Sequence, residues 1–232
     1  MAQLDKQIQF IVDWLRQQVR QSHTNGLIVG LSGGVDSALI AFLIKRAFPN
    51  DSLAVIMPCH SDPKDIEDAI KTAEACEIAS QIVDISETHE TLLTTVRRGL
   101  KGREQVSVNR LADGNLRARL RMSTLYTIAN HYNYLVVGTD NAAEWYTGYF
   151  TKYGDGAVDL LPIVHLLKRD VYTWAKHLGV PQSVLDKAPS AGLWEGQDDE
   201  TEMGISYDKI DDFLSGKQGF SFLSWRRWIM TV

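Results

Sequence analysis

Apolar side chains recur at Ile8, Ile11, Val12, Leu15 and Val19, the spacing of one buried helix face. The first segment is therefore predicted to be an amphipathic helix. Asn25-Gly26 breaks the pattern, and Leu27 to Leu31 is then a short, continuous, partly β-branched run, the look of a strand buried on both faces. Ser32-Gly33-Gly34 turns the chain, and Ser37 to Ala47 is predicted helical, ended by Pro49-Asn50. The alternation continues with a strand at Leu53 to Met57, a helix at Asp65 to Ala75, a strand at Gln81 to Ile85 and a helix at Glu87 to Arg97. Leu116 to His131 is a further predicted helix, and Leu135 to Val137 a strand ending at Gly138-Thr139. Strands alternating with helices imply βαβ units with right-handed crossovers, hence an α/β fold with a parallel sheet covered by helices on both faces.

The second half is less regular. Gly148 to Pro162 is rich in Gly, Tyr and Asp, unsuited to the interior of an element. Lys168 to Leu178 is predicted helical, closed by Gly179 with Pro181 beyond. Ala188 to Thr201 carries Pro189, Gly192 and Gly196 beside an acidic run and is predicted to be a mobile loop, followed by a short helix at Asp208 to Leu214.

Ligands of parallel sheets bind beyond the carboxyl ends of the strands, here near Ser32, Pro58 and Thr139. Ser32-Gly33-Gly34-Val35-Asp36-Ser37 lies between a strand and a helix, where unpaired N–H groups and the helix dipole favour an anion. Gly33 and Gly34 remove Cβ atoms so that the backbone can approach a phosphate closely, while Ser32 and Ser37 add hydroxyl donors. Asp36 would repel a bare phosphate, which implies a bridging Mg²⁺. The loop matches neither the Walker A pattern nor the dinucleotide fingerprint.

Composition narrows the class of partner. The chain has 232 residues and a formal net charge of -5, without the basic face that neutralising nucleic-acid phosphates requires. Cys59 and Cys76 have no CxxC spacing, so zinc or a disulfide framework is not expected, and reduced thiols in a cytoplasmic protein are. No signal peptide and no membrane-spanning apolar run is visible.

The hexapeptide Ser32 to Ser37 resembles the SGGxDS signature of the N-type ATP pyrophosphatases. Further along, Gly138-Thr139-Asp140-Asn141-Ala142-Ala143-Glu144 is followed by Phe150-Thr151-Lys152-Tyr153-Gly154-Asp155-Gly156, Asp159-Leu160-Leu161-Pro162, Leu167-Lys168-Arg169 and Lys187-Ala188-Pro189-Ser190-Ala191. Together with Asp199 to Tyr207, this order and spacing closely resembles the NAD synthetases, from about Leu27 to about Gly216. The resemblance implies a Rossmann-like fold of the adenine nucleotide alpha hydrolase type. It implies ATP-dependent amidation of deamido-NAD to NAD by ammonia, through an adenylated intermediate, with release of AMP and pyrophosphate. Amidation of nicotinate mononucleotide by the same chemistry is the alternative.

By the same resemblance, Gly30, Leu31, Ser32, Gly33, Gly34, Val35, Asp36, Ser37, Thr139, Lys168 and Ser190 are expected to bind ATP, with Ser190 standing where relatives usually have Thr. Asp36 and Glu144 are expected to hold Mg²⁺, and Asp36 and Lys168 to act on the reacting phosphates. Arg119, Lys152 and Asp159 are the expected contacts to deamido-NAD. Arg117 and Arg121 are one turn apart on another side of that helix, where a charged outer face forming surface ion pairs is a reasonable reading for either. Cys59 is read as a packing residue beside the adenosine pocket. The aromatic group Trp145, Tyr146, Tyr149, Phe150 and Tyr153 either shapes the nicotinate pocket or forms local core. A homodimer is expected, with no glutaminase domain in this chain, so that ammonia arrives free or from a separate protein. Residues 1–216 form the expected catalytic domain. Residues 217–232 are an atypical tail lacking the family's His-Lys pair, where Arg226 and Arg227 are the nearest replacement.

Overall fold

The computed structural model describes residues 2–100, 110–190, 192 and 196–216. In chain order the elements are α1 (Ala2–Gln21), β1 (Gly26–Gly30), α2 (Val35–Ala47), β2 (Ser52–Ile56), α3 (Pro63–Ala75), β3 (Ala79–Ile82), α4 (Ser86–Gly99), α5 (Arg110–Tyr132), β4 (Tyr134–Val137), α6 (Ala142–Thr147), α7 (Lys168–Leu178), α8 (Gln182–Leu185), α9 (Asp199–Met203) and α10 (Tyr207–Leu214). The four strands run parallel in the order β3-β2-β1-β4. The α/β architecture expected from the alternating pattern is therefore present. The order reverses between β1 and β4, which opens a crevice above their carboxyl ends.

Alternation along the strands divides the core. Leu27 and Val29 join α1, α2 and α7 in one cluster, whereas Ile28, Val55 and Val136 pack with Leu125 and Ala129 of α5 on the opposite face. α2 is apolar nearly all round because the sheet, α1, α3 and α7 enclose it. That enclosure fixes the helix whose first turn carries Asp36.

The free edge of β4 is extended by a single parallel bridge, Val137 to Leu160. Asp159 donates its N–H to Val136 O (3.0 Å), while its own Oδ2 accepts the Val136 N–H at 2.8 Å. Tyr126 donates to Asp159 Oδ1 at 3.0 Å. A side-chain carboxylate thus stands in for the backbone carbonyl that a neighbouring strand would supply.

Several boundaries differ from expectation. The third strand lies at Ala79–Ile82 and not Gln81 to Ile85, because its four residues are exposed at the sheet edge and carry no apolar signal. Val83 and Ile85 still donate to Ile56 O and Pro58 O, which explains why the apolar pattern pointed there. α5 starts at Arg110 with an exposed Leu111 in its first turn, and α2 starts at Val35. Thr201, placed at the end of a loop by sequence, lies within α9, where Asp198 caps the Thr201 N–H at 2.7 Å. The capping box of Asn141 and Glu144 forms α6, and α8 follows Pro181; neither helix was expected. The atypical tail, including Arg226 and Arg227, lies outside the described residues. Among those described, no helix is long and apolar enough to cross a membrane.

Candidate functional site

The turn after β1 holds its shape through a short hydroxyl chain. Ser37 Oγ donates to Gly34 O (3.0 Å), and the Ser32 and Ser37 hydroxyls lie 3.0 Å apart. Ser32 N–H donates to Ser37 Oγ at 3.2 Å and Gly34 N–H to Ser32 Oγ at 3.3 Å. Gly33 has φ of 82°, and a Cβ there would meet Asp65 O at 2.3 Å, so both conformation and space demand glycine. No side chain caps α2 at Gly34, which leaves first-turn N–H groups for an outside acceptor.

Facing that turn, Lys168 at the start of α7 extends between two acids from other helices. Its Nζ is 2.7 Å from Asp36 Oδ2 and 3.3 Å from Glu144 Oε1, and lies 4.5 Å from the Tyr207 ring centroid. Asn141 Nδ2 donates to Asp36 Oδ1 at 2.9 Å, and Tyr207 OH reaches Glu144 Oε1 at 3.1 Å and Asp199 Oδ2 at 3.2 Å. Lys168 is 4% exposed. Burial alone would depress its pKa; the two carboxylates overcome that and raise it, so the lysine stays charged. Burial pushes Glu144 up to about 7, with Lys168 opposing and Asp36 adding to the rise. Burial, then Glu144 and Asp199, raise the Tyr207 hydroxyl, which remains a donor.

These groups line a cavity of about 730 Å³ above the ends of β1 and β4. Of the expected ATP residues, Gly30, Leu31, Ser32, Gly34, Val35, Asp36, Ser37, Thr139, Lys168 and Ser190 line it, as does Glu144. Gly33 packs instead against Asp65, whose carboxylate pairs with Lys187 beside Ser190.

Arg119, Lys152 and Asp159 lie off the cavity wall. Arg119 Nε donates to Lys152 O (3.2 Å), Lys152 Nζ lies 5.4 Å from the Tyr153 ring centroid, and Asp159 is engaged at the β4 edge. The expectation of an ion pair holds in part for Arg117, which pairs with Asp113 in a half-buried setting, and is corrected for Arg121. Arg121 lines the cavity and donates to Met57 O (3.2 Å) and Ser61 Oγ (3.3 Å), while Arg117 donates to Cys59 O (3.1 Å) and pairs with Asp113 (2.8 Å). Helical spacing correctly grouped the two on one face; it could not say that this face meets the loop after β2. Cys59 is buried and its thiol pKa raised by that burial, as a packing residue requires.

Of the aromatic group, Tyr149 lines the cavity, its hydroxyl 3.0 Å from Asp199 Oδ1 and 2.5 Å from Glu202 Oε2. Trp145 stacks on Phe150, Tyr146 meets Phe213, and Tyr153 is exposed. Sequence reasoning also missed Asn141, Tyr207 and Asp140. The capping pattern at Asn141 was a readable signal; the tyrosine and Asp140 offered none outside the quoted motifs.

No set of three or more His, Cys, Asp or Glu arranged to hold a metal occurs among the described residues. Asp36 and Glu144 nonetheless converge on one positive centre, Lys168 Nζ, and offer the hard oxygens that Mg²⁺ takes when phosphates complete its shell.

A family model described as NAD synthase matches residues 7–220. The NH(3)-dependent NAD(+) synthetase of Alkaliphilus oremlandii is 59% identical over 216 residues, covering 92% of this chain and 86% of its own. Among solved structures, an NMN synthetase from Francisella tularensis shares 42% identity with a TM-score of 0.86, covering 97% of this chain and 90% of that one. An NH3-dependent NAD synthetase from Campylobacter jejuni, in complex with the nitrate ion, shares 29% with a TM-score of 0.76, covering 99% and 87%.

Asp140 gives the site a pH signature. Its carboxyl is pushed from 3.8 up to about 8, by burial first and then by Asp155, Glu144 and Asp36. The folded chain therefore keeps a proton that the unfolded chain releases, and this stabilisation, full below the unfolded value, is lost as pH rises through the folded one. Asp140→Asn is expected to flatten the fall in unfolding free energy from urea titrations across that window, by up to about 1.4 kcal/mol per pH unit. A variant whose stability falls in parallel with the wild type would show that Asp140 titrates normally.

Proposed function

The chain belongs to the NAD synthase family, and from that membership and the geometry around Asp36 we propose that it amidates deamido-NAD with ammonia at the expense of ATP. The observation that carries this reading is the meeting of an anion-binding turn with a buried, charged lysine held between two carboxylates. A carboxylate is a poor acyl donor because oxide would have to leave. Transfer to the α-phosphorus of ATP makes AMP the leaving group instead, and ammonia can then form the amide.

In this reading the N–H groups of the Ser32 to Ser37 turn hold the departing pyrophosphate, and Ser32 and Ser37 orient it. Lys168 meets the charge that builds on the bridging oxygen; its two carboxylate partners keep it protonated and aimed. Asp36 and Glu144 would hold Mg²⁺, which when bound neutralises the triphosphate. Asn141 and Tyr207 fix the rotamers of those carboxylates and stay in place throughout. Thr139 and Ser190 contribute hydroxyls at the rim. Lys187, tied to Asp65, holds Ala188 to Ser190 at the cavity wall, where they help exclude water from the adenylate.

Arg119, Lys152 and Asp159 are proposed to contact deamido-NAD where a second subunit completes the wall. The support is a run of exposed apolar residues, Leu92 (40% exposed) and Val96 (47%) one turn apart on α4, Leu100 (47%) at its C-cap and Leu111 (58%) on α5. Light scattering is expected to report a homodimer; a fully active monomer would refute this arrangement. Two free thiols suit a cytoplasmic setting.

The 42% identity to an NMN synthetase makes nicotinate mononucleotide the second substrate to weigh. One experiment addresses both. With Mg²⁺ and no ammonia, the protein is expected to exchange labelled pyrophosphate into ATP only when its acyl substrate is present, and faster with deamido-NAD than with nicotinate mononucleotide. A chelator should stop the exchange. Preference for the mononucleotide would reassign the substrate, and formation of ADP with inorganic phosphate would overturn the adenylate route.

A further inference from the structure

Asp140 follows β4 and is 4% exposed, yet its Oδ2 is buried without a hydrogen-bond partner among the described residues. An unpaired acceptor of this kind is costly, because burial removes water and returns nothing. Its electrostatic neighbours make matters worse: Asp155, Glu144 and Asp36 all act on it with the same sign. Arg121 lines the same cavity but is committed to Met57 O and Ser61 Oγ, and Lys168 to Asp36 and Glu144. Among the described residues the cavity wall thus holds an acid with negative charge around it and no cation paired to it.

Resting on the amidation reading above, we propose that Asp140 is the binding site for the nitrogen substrate, taken up as ammonium. The donor set separates this from a metal. A divalent ion needs several hard ligands, and no cluster of three ligating side chains is found among the described residues. Ammonium is monovalent and donates hydrogen bonds, so one unpaired carboxylate with further negative charge nearby suits it. The position suits the chemistry as well. Asp140 follows Thr139 after β4 and lines the same cavity as the phosphate turn and Lys168.

The proton accounting closes. Ammonium with a carboxylate and ammonia with a carboxylic acid are one pair, differing only in where the proton sits. The raised affinity of Asp140 for a proton makes the second form accessible. Transfer of one proton to Asp140 frees the nitrogen lone pair, which forms the C–N bond to the acyl carbon. The C–O bond to the adenylyl phosphate breaks with its electrons going to AMP, and nitrogen sheds a second proton to solvent. Asp140 then returns its proton to solvent, and two protons leave in all.

The test is steady-state amidation by Asp140→Asn, which keeps the shape and removes the carboxyl that exchanges a proton with the nitrogen. The KM for ammonium is expected to rise about tenfold or more, with the KM values for ATP and deamido-NAD moving less than about twofold. An unchanged ammonium KM, or three KM values rising together, would overturn the proposal, the second outcome indicating a structural acid. Should that variant not fold, Asp140→Ser is read in the same way. The wild-type enzyme provides an independent check. Rubidium, a cation of similar size, is expected to compete with ammonium and not with ATP, and absence of competition counts against the site. Loss of pyrophosphate exchange in the wild type would instead sink the amidation reading itself, so the two failures are distinguishable.

Discussion

Everything in the site depends on one buried ammonium. Lys168 is 4% exposed, and such a charge is tolerated only with anions in contact, which Asp36 and Glu144 provide at 2.7 and 3.3 Å. Those three residues open α2, α6 and α7, so one electrostatic requirement ties together the starts of three helices distant in sequence. Further ties act on the same helices. Asn141 caps α6 while donating to Asp36, and Asp211 of α10 accepts the Lys168 N–H at 3.0 Å and the Arg169 N–H at 2.9 Å. The wall of the cavity is therefore built from helix starts held together by charge. The same negative groups are poised for a cationic partner once phosphates arrive.

The sheet explains why this meeting occurs where it does. In the order β3-β2-β1-β4 the chain leaves β1 toward one side and β4 toward the other, so the turn at Ser32 and the segment from Gly138 face each other. Gly138 is confined between Val158 and Leu161, where a Cβ would approach their methyls to 2.7 Å. Asp159 then closes the outer edge of β4 by accepting the Val136 N–H. Its carboxylate is engaged before any substrate arrives, so a contact with deamido-NAD would have to share or displace that hydrogen bond.

Much of this was legible in the sequence. Buried strands such as Leu27 to Leu31 announce themselves by continuous apolar runs, and the glycines and serines of the phosphate turn by chemistry that few other contexts require. β3 was displaced because an exposed edge strand has no apolar face to read. Arg121 was misjudged because helical spacing says which residues share a face and not what that face meets. Tyr207 and Asp140 could not be found from pattern at all: one is defined by a tertiary hydrogen bond to Glu144, the other by an Oδ2 with no partner among the described residues. Sequence periodicity records burial well. It does not record whether a buried polar group is paired.

The claim that Lys168 and its two acids form one unit is tested most directly by a double-mutant cycle on unfolding free energy, combining Lys168→Met with Asp36→Asn and separately with Glu144→Gln. Removing the lysine strands two half-buried carboxylates, so the single change is expected to cost about 3 kcal/mol, and much of that cost should vanish when an acid is neutralised with it. The account predicts coupling above about 1 kcal/mol for the Asp36 pair and a smaller value for the longer Glu144 contact. Costs that add to within about 0.5 kcal/mol in both cycles would show that the three residues stand independently, and would contradict it.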